Sequence, residues 1–522
     1  MAGDGLGRRA AGSSGTGLSG LPTFGPQAKR LPEMKAVFTE DRARSVAMNM
    51  IARQAAVYPE FMLDPLDEAD LTERDAAFAH AIYDVTIRRW ITLGYLIERY
   101  TPRGLRENDP AIQAALLAGS AQMLFLDKVP PHAAINASVE WVKHAASPSI
   151  GGFVNAVLRK VVSLAYDPSH LVPPNIPSRV SRATWTNRAD ELPLSEGDCL
   201  ALRAAVLPTD PTERTAVATS HPAALVRHWV RVLGQETAME LCLHDVMAAP
   251  ITLCTRYAKG ELPEAMVPHK KLAVGGDVSG QASGNSVGEA ARPTSHIWTG
   301  SRFELSAVLA SRRDLWVQDA ASSHPVVYLG ECIQKSVPAL LAGELRIIDL
   351  CAGQGTKTRQ LAAEFVNAEI VAADPAPDRA KALAQVVATI GPRARAWTVS
   401  DVHGRLQRSA GVVMVDVPCT NTGVLSRRAE ARYRCDEVQL ARLVETQREI
   451  VTKAVRLLAP GGVFCYSTCS VEPAENDEQT AWIMAQFGMR LLGTHRWMPT
   501  GKPGDAPELY SDASYCAVLT GS

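Results

Sequence analysis

The sequence predicts an α/β fold: a doubly wound, mostly parallel sheet in the C-terminal part, preceded by an all-α domain and a small α+β module. From Leu345 onward, apolar strand-like segments alternate with helical segments, which is typical of a parallel sheet with helices on both faces. Before residue 163, apolar residues recur three or four positions apart, as they do in helices. The length of 522 residues is too great for one hydrophobic core, so we expect two or three domains.

The composition is that of an ordinary globular protein, with 46% hydrophobic and 21% charged residues. Because the formal net charge is only -1, any nucleic-acid surface must be a local basic patch. The sequence has no run of about eighteen apolar residues and no signal-peptide core, so we expect a cytoplasmic protein that makes no membrane contact. The ten cysteines form no CxxC pair or Cys/His cluster, which predicts free thiols and no metal site. We also expect a monomer.

Local composition divides the chain into five segments. Stretches rich in Gly, Ser, Ala and Pro cannot bury a core, so they are expected to be tails, linkers or loops. In order, we expect a disordered tail at 1–33, an all-α domain at 35–165, a Pro-rich, irregular insertion or linker at 166–219, a small α+β module at 220–316 with a low-complexity loop at 262–292, and the doubly wound α/β domain at 317–522.

Within the small module, the pattern changes from helix to strand. A helical stretch between Ser220 and Met247 is followed by an apolar strand at 251–256. Strand-like spacing returns between Trp298 and Trp316. Residues 318–323 then open a helix that leads into the first strand of the α/β domain.

The α/β domain begins with a strand, a glycine-bearing turn and a helix. The strand ends around Asp349, the turn occupies 351–356, and helical spacing continues to Phe365. In a doubly wound sheet this unit places a ligand over the carboxyl ends of the strands. By itself the pattern fits a nucleotide site, an S-adenosylmethionine site or no site.

Three further acidic residues are predicted at the ends of the following strands. Asp374 lies 25 residues beyond Asp349, where such folds place a carboxylate on ribose hydroxyls. Asp401 is expected to end the next strand and to meet an adenine amino group. Asp416 ends the strand after that. A single such acid is usually a helix cap, but four on consecutive strands favour a ligand site.

Two cysteines follow apolar strands and lie in polar, turn-like segments. Cys419 and Cys469 are therefore expected to emerge at the carboxyl edge of the sheet, beside the ligand cleft. Other cysteines, such as Cys242, Cys332 and Cys465, fit the usual role of small buried hydrophobic residues.

The segments around these two cysteines carry a family resemblance. Residues 416–423 read Asp-Val-Pro-Cys-Thr-Asn-Thr-Gly, and residues 466–476 read Tyr-Ser-Thr-Cys-Ser-Val-Glu-Pro-Ala-Glu-Asn. These motifs resemble the RNA cytosine-C5 methyltransferases of the Sun/RsmB (Fmu) group, which are relatives of the NOL/NOP2/Sun proteins. The resemblance covers about 38–162 and 220–520, and it implies a Rossmann-like S-adenosylmethionine methyltransferase domain.

The N-terminal helical region resembles the NusB-like RNA-binding domain. Residues 117–126, 129–136 and 153–159 carry this resemblance, the second reading Val-Pro-Pro-His-Ala-Ala-Ile-Asn. A NusB-like domain ahead of the catalytic domain implies the branch of the group that acts on small-subunit 16S ribosomal RNA. Basic residues of the helices are expected to face phosphates. The candidates are Arg42, Arg44, Arg88, Arg89, Arg159 and Lys160.

The resemblance implies a covalent mechanism and assigns four catalytic residues. Cys469 is the nucleophile that adds to cytosine C6, and Cys419 assists release of the enzyme sulfur. Asp416 hydrogen-bonds the N3/N4 edge of the base, and Lys357 positions the base or lowers the pKa of a thiol. The target cytosine must be single-stranded or in a loop, because C6 is inaccessible inside a helix.

The resemblance also implies S-adenosylmethionine as the cofactor. The expected cofactor-binding residues are Asp349, Cys351, Ala352, Gly353, Gln354, Gly355, Thr356, Lys357, Asp374, Asp401 and Asp416. The family usually has Cys-Ala-Ala-Pro-Gly-Gly-Lys-Thr in the turn, so Gln354 and Thr356 replace a proline and a glycine. A threonine side chain at that point can weaken contact with the methionine moiety.

Three alternatives stay open at this stage. The same chemistry can act on tRNA or 23S rRNA. A non-catalytic RNA-binding or ribosome-assembly factor fits the altered turn, although the retained Cys419 and Cys469 oppose it. A DNA cytosine-C5 methyltransferase is disfavoured because the expected Glu-Asn-Val element is absent.

Overall fold

The computed structural model describes residues 31–62, 64–166, 179–181, 185–270 and 293–521. Most of the predicted N-terminal tail and residues 271–292 of the predicted low-complexity loop lie outside the described residues. Among the described residues, no helix is both long enough and apolar enough to cross a membrane.

The N-terminal region is all helical, as the spacing predicts. Its six α-helices are α1 (Arg42–Ala55), α2 (Glu73–Arg88), α3 (Trp90–Glu98), α4 (Pro110–Phe125), α5 (Pro131–Ala145) and α6 (Gly151–Val162). Helix α4 is central, because its residues from Ala111 to Leu124 are almost all buried against the surrounding helices. Gly119 permits this close packing, since a Cβ there would lie 2.9 Å from Leu158 and from Ser138.

The predicted irregular insertion at 166–219 contains regular structure, so that expectation is wrong for its described part. It holds β1 (Arg179–Ser181), β2 (Glu191–Pro193), β3 (Asp198–Ala201) and α7 (Pro211–Thr219). The strands form an antiparallel sheet in the order β1-β3-β2, and Leu192 and Leu200 join the helical core. Strands of three or four residues are too short to give a readable alternation, which is why the pattern missed them.

The small module contains a helical pair and a four-stranded sheet. Its elements are α8 (Ala223–Leu233), α9 (Gln235–His244), β4 (Thr252–Cys254), β5 (Met266–Pro268), β6 (Ser295–Trp298), α10 (Arg302–Ser311) and β7 (Trp316–Val317). The sheet order is β5-β6-β4-β7. Two expectations are corrected here. Strand β5 lies within the predicted loop, and α10 replaces the predicted strand-like stretch because Ser301 and Glu304 form a capping box that starts a helix.

The C-terminal domain is a seven-stranded sheet covered by helices on both faces, which confirms the predicted fold class. The strands are β8 (Arg346–Leu350), β9 (Glu369–Ala373), β10 (Ala394–Ala396), β11 (Ala410–Asp416), β12 (Leu458–Thr468), β13 (Arg490–Trp497) and β14 (Ser514–Thr520). The helices are α11 (Ala320–Ser336), α12 (Thr356–Glu364), α13 (Pro377–Ile390), α14 (Val399–Arg405), α15 (Glu437–Ala454) and α16 (Asp477–Phe487).

The strand order is β10-β9-β8-β11-β12-β14-β13. Strands β8 to β12 are parallel, and β14 is antiparallel to both of its neighbours. The chain runs outward from β8 to β10 and then returns to β11 beside β8. This reversal creates the crevice at the carboxyl ends of β8 and β11 in which doubly wound folds bind ligands.

A tyrosine of the C-terminal domain joins this domain to the N-terminal helices. The ring of Tyr433 packs within 5.8 Å of Tyr58 and 5.1 Å of Phe61, centroid to centroid. Its hydroxyl donates to the carbonyl oxygen of Ile87 at 2.5 Å. The two domains therefore share a buried aromatic cluster.

Several basic residues predicted to face phosphates have other partners. Arg89 is buried, and its guanidinium donates to the carbonyl oxygens of Pro193 at 2.7 Å and Ala218 at 3.1 Å, so it cannot contact RNA in this structure. Arg42, Arg44 and Arg88 form ion pairs with nearby aspartates. Arg159 and Lys160 are exposed at the end of α6.

Candidate active site

Asp349 lies within β8 and is fully buried. Its Oδ2 accepts a hydrogen bond from Thr358 Oγ1 at 2.6 Å. Its Oδ1 is buried and has no hydrogen-bond partner among the described residues. Burial raises the pKa of this carboxyl to about 7. An unsatisfied buried acceptor beside the turn fits a ligand that carries an N–H donor or an ammonium group.

The turn after β8 depends on left-handed backbone conformations. Cys351 has φ 60°, Gly353 has φ 60° and Gly355 has φ 93°. A Cβ at Gly355 would lie 3.0 Å from Leu383, whereas a Cβ at Gly353 would meet nothing within 4 Å. The turn is therefore packed at its base and open at Gly353, where the backbone can approach a ligand.

The two unusual turn residues face outward. Gln354 and Thr356 are both exposed, and Thr356 is the first residue of α12. Their effect on a cofactor stays a prediction.

Asp374 lies directly after β9 and fixes the turn. Its Oδ2 accepts from the Gly353 N–H at 2.9 Å, and its Oδ1 accepts from the Ala376 N–H and from Arg379 Nε, each at 2.9 Å. The side chain is only 2% exposed because Arg379 lies against it. The predicted acid is thus at the cleft.

Asp401 is not at a strand end, which corrects the expectation. Strand β10 stops at Ala396, and Asp401 lies in the first turn of α14. Its Oδ2 accepts from Thr398 Oγ1 at 2.7 Å, and the Asp401 N–H donates to Thr398 Oγ1 at 3.0 Å. A threonine followed three residues later by an acid is typical of a helix start, so these residues begin α14 and do not extend β10. Its proposed contact with adenine stays a prediction.

A partly buried ion pair lies between the turn and the strand β11. Lys357 Nζ donates to Asp416 Oδ2 at 2.8 Å, and Ser467 Oγ donates to Asp416 Oδ1 at 2.8 Å. Burial lowers the pKa of Lys357, but the charge and hydrogen bond of Asp416 outweigh it, so the pKa is raised on balance. The amine is therefore an ammonium at neutral pH and cannot serve as a base.

The two predicted cysteines lie side by side at the carboxyl edge of the sheet. Cys419 follows β11, Cys469 follows β12, and their Sγ atoms are 3.3 Å apart. The hydrogen bond with Cys469 and burial raise the pKa of Cys419 well above its ordinary value. Cys469 is the more accessible of the two and also lies 3.5 Å from Asn421 Oδ1. Cys419 thus keeps its proton, and its S–H can donate a hydrogen bond to the Cys469 sulfur.

Gly423 allows the two cysteine-bearing loops to lie close together. Its N–H donates to the carbonyl oxygen of Cys469 at 3.0 Å. A Cβ at this position would lie 2.2 Å from Ala513 Cβ, so no other residue fits without displacement of the chain.

The sequence reasoning missed several polar residues that complete the site. Ser467 and Asn421 lie inside the quoted motifs, so their positions beside two catalytic candidates were a usable signal. Gln447 lies in α15, contacts the cysteine loops and has no sequence feature that distinguishes it from other polar helical residues. Among the residues that the structure describes, no cluster of His, Cys, Asp or Glu could hold a metal ion.

The arrangement combines a nucleophilic thiol, a second thiol that can donate a hydrogen bond to it, and an ion pair at one sheet edge. A partly exposed thiol next to a second thiol can add to an electrophilic carbon and later leave. The Lys357–Asp416 pair offers a carboxylate for an amino group and a cation for developing negative charge.

Comparison with known proteins finds similarity to two protein families. Residues 340–498 match the family described as 16S rRNA methyltransferase RsmB/F, and residues 41–163 match the NusB family. A Mycobacterium tuberculosis protein, whose name gives it only as a methyltransferase, is 29% identical over 95% of this chain and 98% of its own. The ribosomal RNA small subunit methyltransferase B of Vibrio cholerae is 25% identical over 87% of this chain and 92% of its own.

A solved structure shares the fold. The crystal structure of PH0851 has a TM-score of 0.63 and 17% sequence identity, covering 93% of this chain and 100% of that one.

Proposed function

Since the chain belongs to the RsmB/F methyltransferase family through residues 340–498, we propose that it methylates C5 of a cytosine in small-subunit 16S rRNA. S-adenosylmethionine is the proposed methyl donor. The chain also carries a NusB-family domain at 41–163. The observation that carries the proposal is the 3.3 Å contact between the Cys419 and Cys469 sulfurs at the carboxyl edge of the sheet. Addition to the base needs one thiol, and the second thiol is assigned to release of the product.

Cys469 is the nucleophile in this proposal. Cytosine C5 is a poor nucleophile, and addition of a thiolate to C6 makes C5 electron-rich. The Cys469 sulfur is the more accessible of the pair, and the S–H of Cys419 can donate to it. This hydrogen bond holds the Cys469 sulfur in position for attack.

Cys419 assists release. After methyl transfer, C5 carries both the new methyl group and a proton. Removal of that proton re-forms the C5–C6 double bond, breaks the C6–Sγ bond and returns the thiolate to Cys469. The hydrogen bond with Cys469 is the main cause of the raised pKa of Cys419. That hydrogen bond is weakened once the Cys469 sulfur is bonded to carbon, so Cys419 becomes more acidic. Its thiol then loses its own proton to solvent, and the resulting thiolate accepts the C5 proton, which leaves Cys419 as a thiol again.

Asp416 and Lys357 recognise the base. The Asp416 carboxylate is partly exposed and can accept a hydrogen bond from the cytosine N4 amino group. The Lys357 ammonium offsets the charge of Asp416 and lies where it can stabilise negative charge on the base during addition.

The turn at 351–356 and its flanking acids suit the proposed cofactor, which supplies an electrophilic methyl group. The unpartnered Oδ1 of Asp349 fits the ammonium of the methionine moiety, and the open space at Gly353 lets the backbone approach it. Asp374 is proposed for the ribose hydroxyls and Asp401 for the adenine amino group. For Asp374 this requires a further hydrogen bond on oxygens that already accept from Gly353 and Arg379.

The substrate is proposed to be a cytosine in a single strand or loop. Its C6 must reach the Cys469 sulfur, which base stacking in a duplex prevents. The exposed Arg159 and Lys160 on the NusB-family domain are candidate phosphate contacts.

Incubation with labelled S-adenosylmethionine and separate 16S rRNA, 23S rRNA and tRNA tests the proposal. The parent is expected to form 5-methylcytosine in 16S rRNA, Cys419→Ala to accumulate a denaturation-resistant protein–RNA adduct, and Cys469→Ala to form neither. Methylation by Cys469→Ala would reverse the assigned roles. A parent that binds 16S rRNA but no cofactor would instead indicate a non-catalytic assembly factor.

A further inference from the structure

The tips of the two cysteine loops lie beyond the regular sheet. After β11 and β12, two backbone hydrogen bonds join the loops. The Val417 N–H donates to the Ser467 carbonyl oxygen at 3.1 Å, and the Gly423 N–H donates to the Cys469 carbonyl oxygen at 3.0 Å. Between these points, buried side chains hold the backbone on both sides of each thiol.

Glu475 and Gln447 hold the backbone on both sides of Cys419. The Glu475 carboxylate accepts from the Thr420 N–H at 3.0 Å, from Thr420 Oγ1 at 2.5 Å and from Gln447 Nε2 at 2.9 Å. Gln447 Nε2 also donates to the carbonyl oxygen of Pro418 at 3.0 Å. The residues before and after Cys419 are therefore both tied to one buried carboxylate–amide pair.

Asn476 holds the backbone on both sides of Cys469. Its Oδ1 accepts from Thr468 Oγ1 at 2.6 Å, and its Nδ2 donates to the carbonyl oxygen of Ser470 at 2.9 Å. Glu475 and Asn476 are both 0% exposed, so each would leave unsatisfied polar groups if it moved. Two consecutive residues therefore brace two loops that are 50 residues apart in the chain.

We propose that Glu475 and Asn476 are positioning residues that set the separation of the two thiols, and that each controls a different half of the reaction. This inference rests on the proposed function. Glu475, acting with Gln447, orients Cys419 for release, and Asn476 orients Cys469 for attack on C6. Neither side chain forms a hydrogen bond with a sulfur, so both act through the backbone of the loops. The charge of Glu475 also acts directly, because it raises the pKa of Cys419.

The two positions should give opposite defects. A glutamine at 475 has one acceptor oxygen in place of two, so it cannot accept from the Thr420 N–H, Thr420 Oγ1 and Gln447 Nε2 as the carboxylate does, which shifts Cys419 and slows release. An aspartate at 476 would place a carboxylate oxygen against the Ser470 carbonyl oxygen, which shifts Cys469 and slows adduct formation. A displacement of about 1 Å can cost on the order of 100-fold in rate.

The test compares Glu475→Gln, Asn476→Asp and the exposed control Glu478→Gln in single-turnover reactions with 16S rRNA, recording adduct and 5-methylcytosine separately. We expect Glu475→Gln to raise the ratio of adduct to product at least tenfold and Asn476→Asp to lower both the adduct and the product. The control should match the parent. A general loss of structure would lower adduct and product together in both variants, and that result would overturn the inference.

Thiol alkylation by iodoacetamide, with peptide mapping, gives a readout without RNA. Glu475→Gln is expected to change the alkylation rate of Cys419, and Asn476→Asp that of Cys469. If the parent makes no 5-methylcytosine, the proposed function fails, while these rates still decide the positioning roles. Should either variant fold poorly, Thr420→Val and Thr468→Val remove one hydroxyl from each brace, and unchanged alkylation in both would overturn the inference.

Discussion

Lys357 Nζ and Asp416 Oδ2 form a 2.8 Å ion pair that joins the turn after β8 to the end of β11. The side chains are 14% and 33% exposed, so the pair is shielded but still within reach of a ligand. It therefore couples the candidate cofactor turn to the candidate base-recognition residue.

Lys357→Met is expected to abolish most methylation and to weaken the fold modestly. The substitution leaves Asp416 without its cation, and since that carboxylate is partly solvated, we expect a loss of about 1–2 kcal/mol in the free energy of unfolding. Product formation should fall by about 100-fold or more because charge stabilisation is lost. Urea unfolding and methylation assays measure these effects. Lys381→Met, on the exposed face of α13, is the matched control and should change neither. Full activity of Lys357→Met would show that the reaction does not need the ion pair.

Mild oxidation is expected to join Cys419 and Cys469 in an intramolecular disulfide. Their sulfurs are 3.3 Å apart, and diamide can accept the two electrons and two protons that leave the thiols. The number of free thiols should fall from ten to eight in denaturant, and methylation should stop until a reductant is added. Peptide mapping identifies the pair. In Cys419→Ser, oxidation should not lower the number of free thiols through an intramolecular disulfide. Cross-links between other cysteines would contradict this prediction.

Asp349 is expected to make stability depend on pH. Burial raises its pKa to about 7, so the folded protein holds a proton that the unfolded chain releases near pH 4. The resulting stabilisation is complete at low pH and is lost as the pH rises through about 7. Asp349→Asn cannot ionise, and its oxygen can still accept from Thr358. When the pH is raised from 5 to 8, the free energy of unfolding of this variant should increase by roughly 2–3 kcal/mol relative to that of the parent.

Urea unfolding at both pH values checks this prediction, with Asp67→Asn on the surface as the control. Asp349→Asn should also bind S-adenosylmethionine more weakly, since it lacks the charge that faces the proposed ammonium. A variant whose stability tracks that of the parent at both pH values would mean that Asp349 is ionised throughout.

The sheet and the cysteine pair could be predicted because their signals are local. Each apolar strand of the sheet is followed by a polar turn, and parallel strands bring their carboxyl ends to one edge, so Cys419 and Cys469 could be expected to meet there. The helical domain could also be predicted from spacing, since buried residues of α1 such as Ala43, Val46, Ala47 and Met50 recur three or four positions apart.

The errors have equally local causes. Strands β1 to β3 are too short to show alternation, and Asp401 follows a threonine that caps a helix instead of extending a strand. The brace of Gln447 and Glu475 on the Cys419 loop depends on α15 packing against a loop distant in sequence. No periodicity or spacing encodes such a contact, so only the structure shows it.

Tyr433→Ala is expected to separate the unfolding of the two domains. The Tyr433 ring fills the aromatic cluster shared with the NusB-family domain, and its hydroxyl donates to the Ile87 carbonyl oxygen at 2.5 Å. Removing the ring should leave a cavity and cost about 3–5 kcal/mol. Tyr433 comes from the C-terminal domain but is buried in the core of the N-terminal helices, so its loss weakens the link between the domains, and calorimetry should then resolve two transitions. Tyr433→Phe is the matched control. It keeps the ring and loses only the hydrogen bonds of the hydroxyl with the Ile87 carbonyl oxygen and with Ser220 Oγ, so it should cost about 1–2 kcal/mol and leave the number of transitions unchanged. The same heat-capacity profile for Tyr433→Ala and the parent would show that this cluster does not hold the domains together.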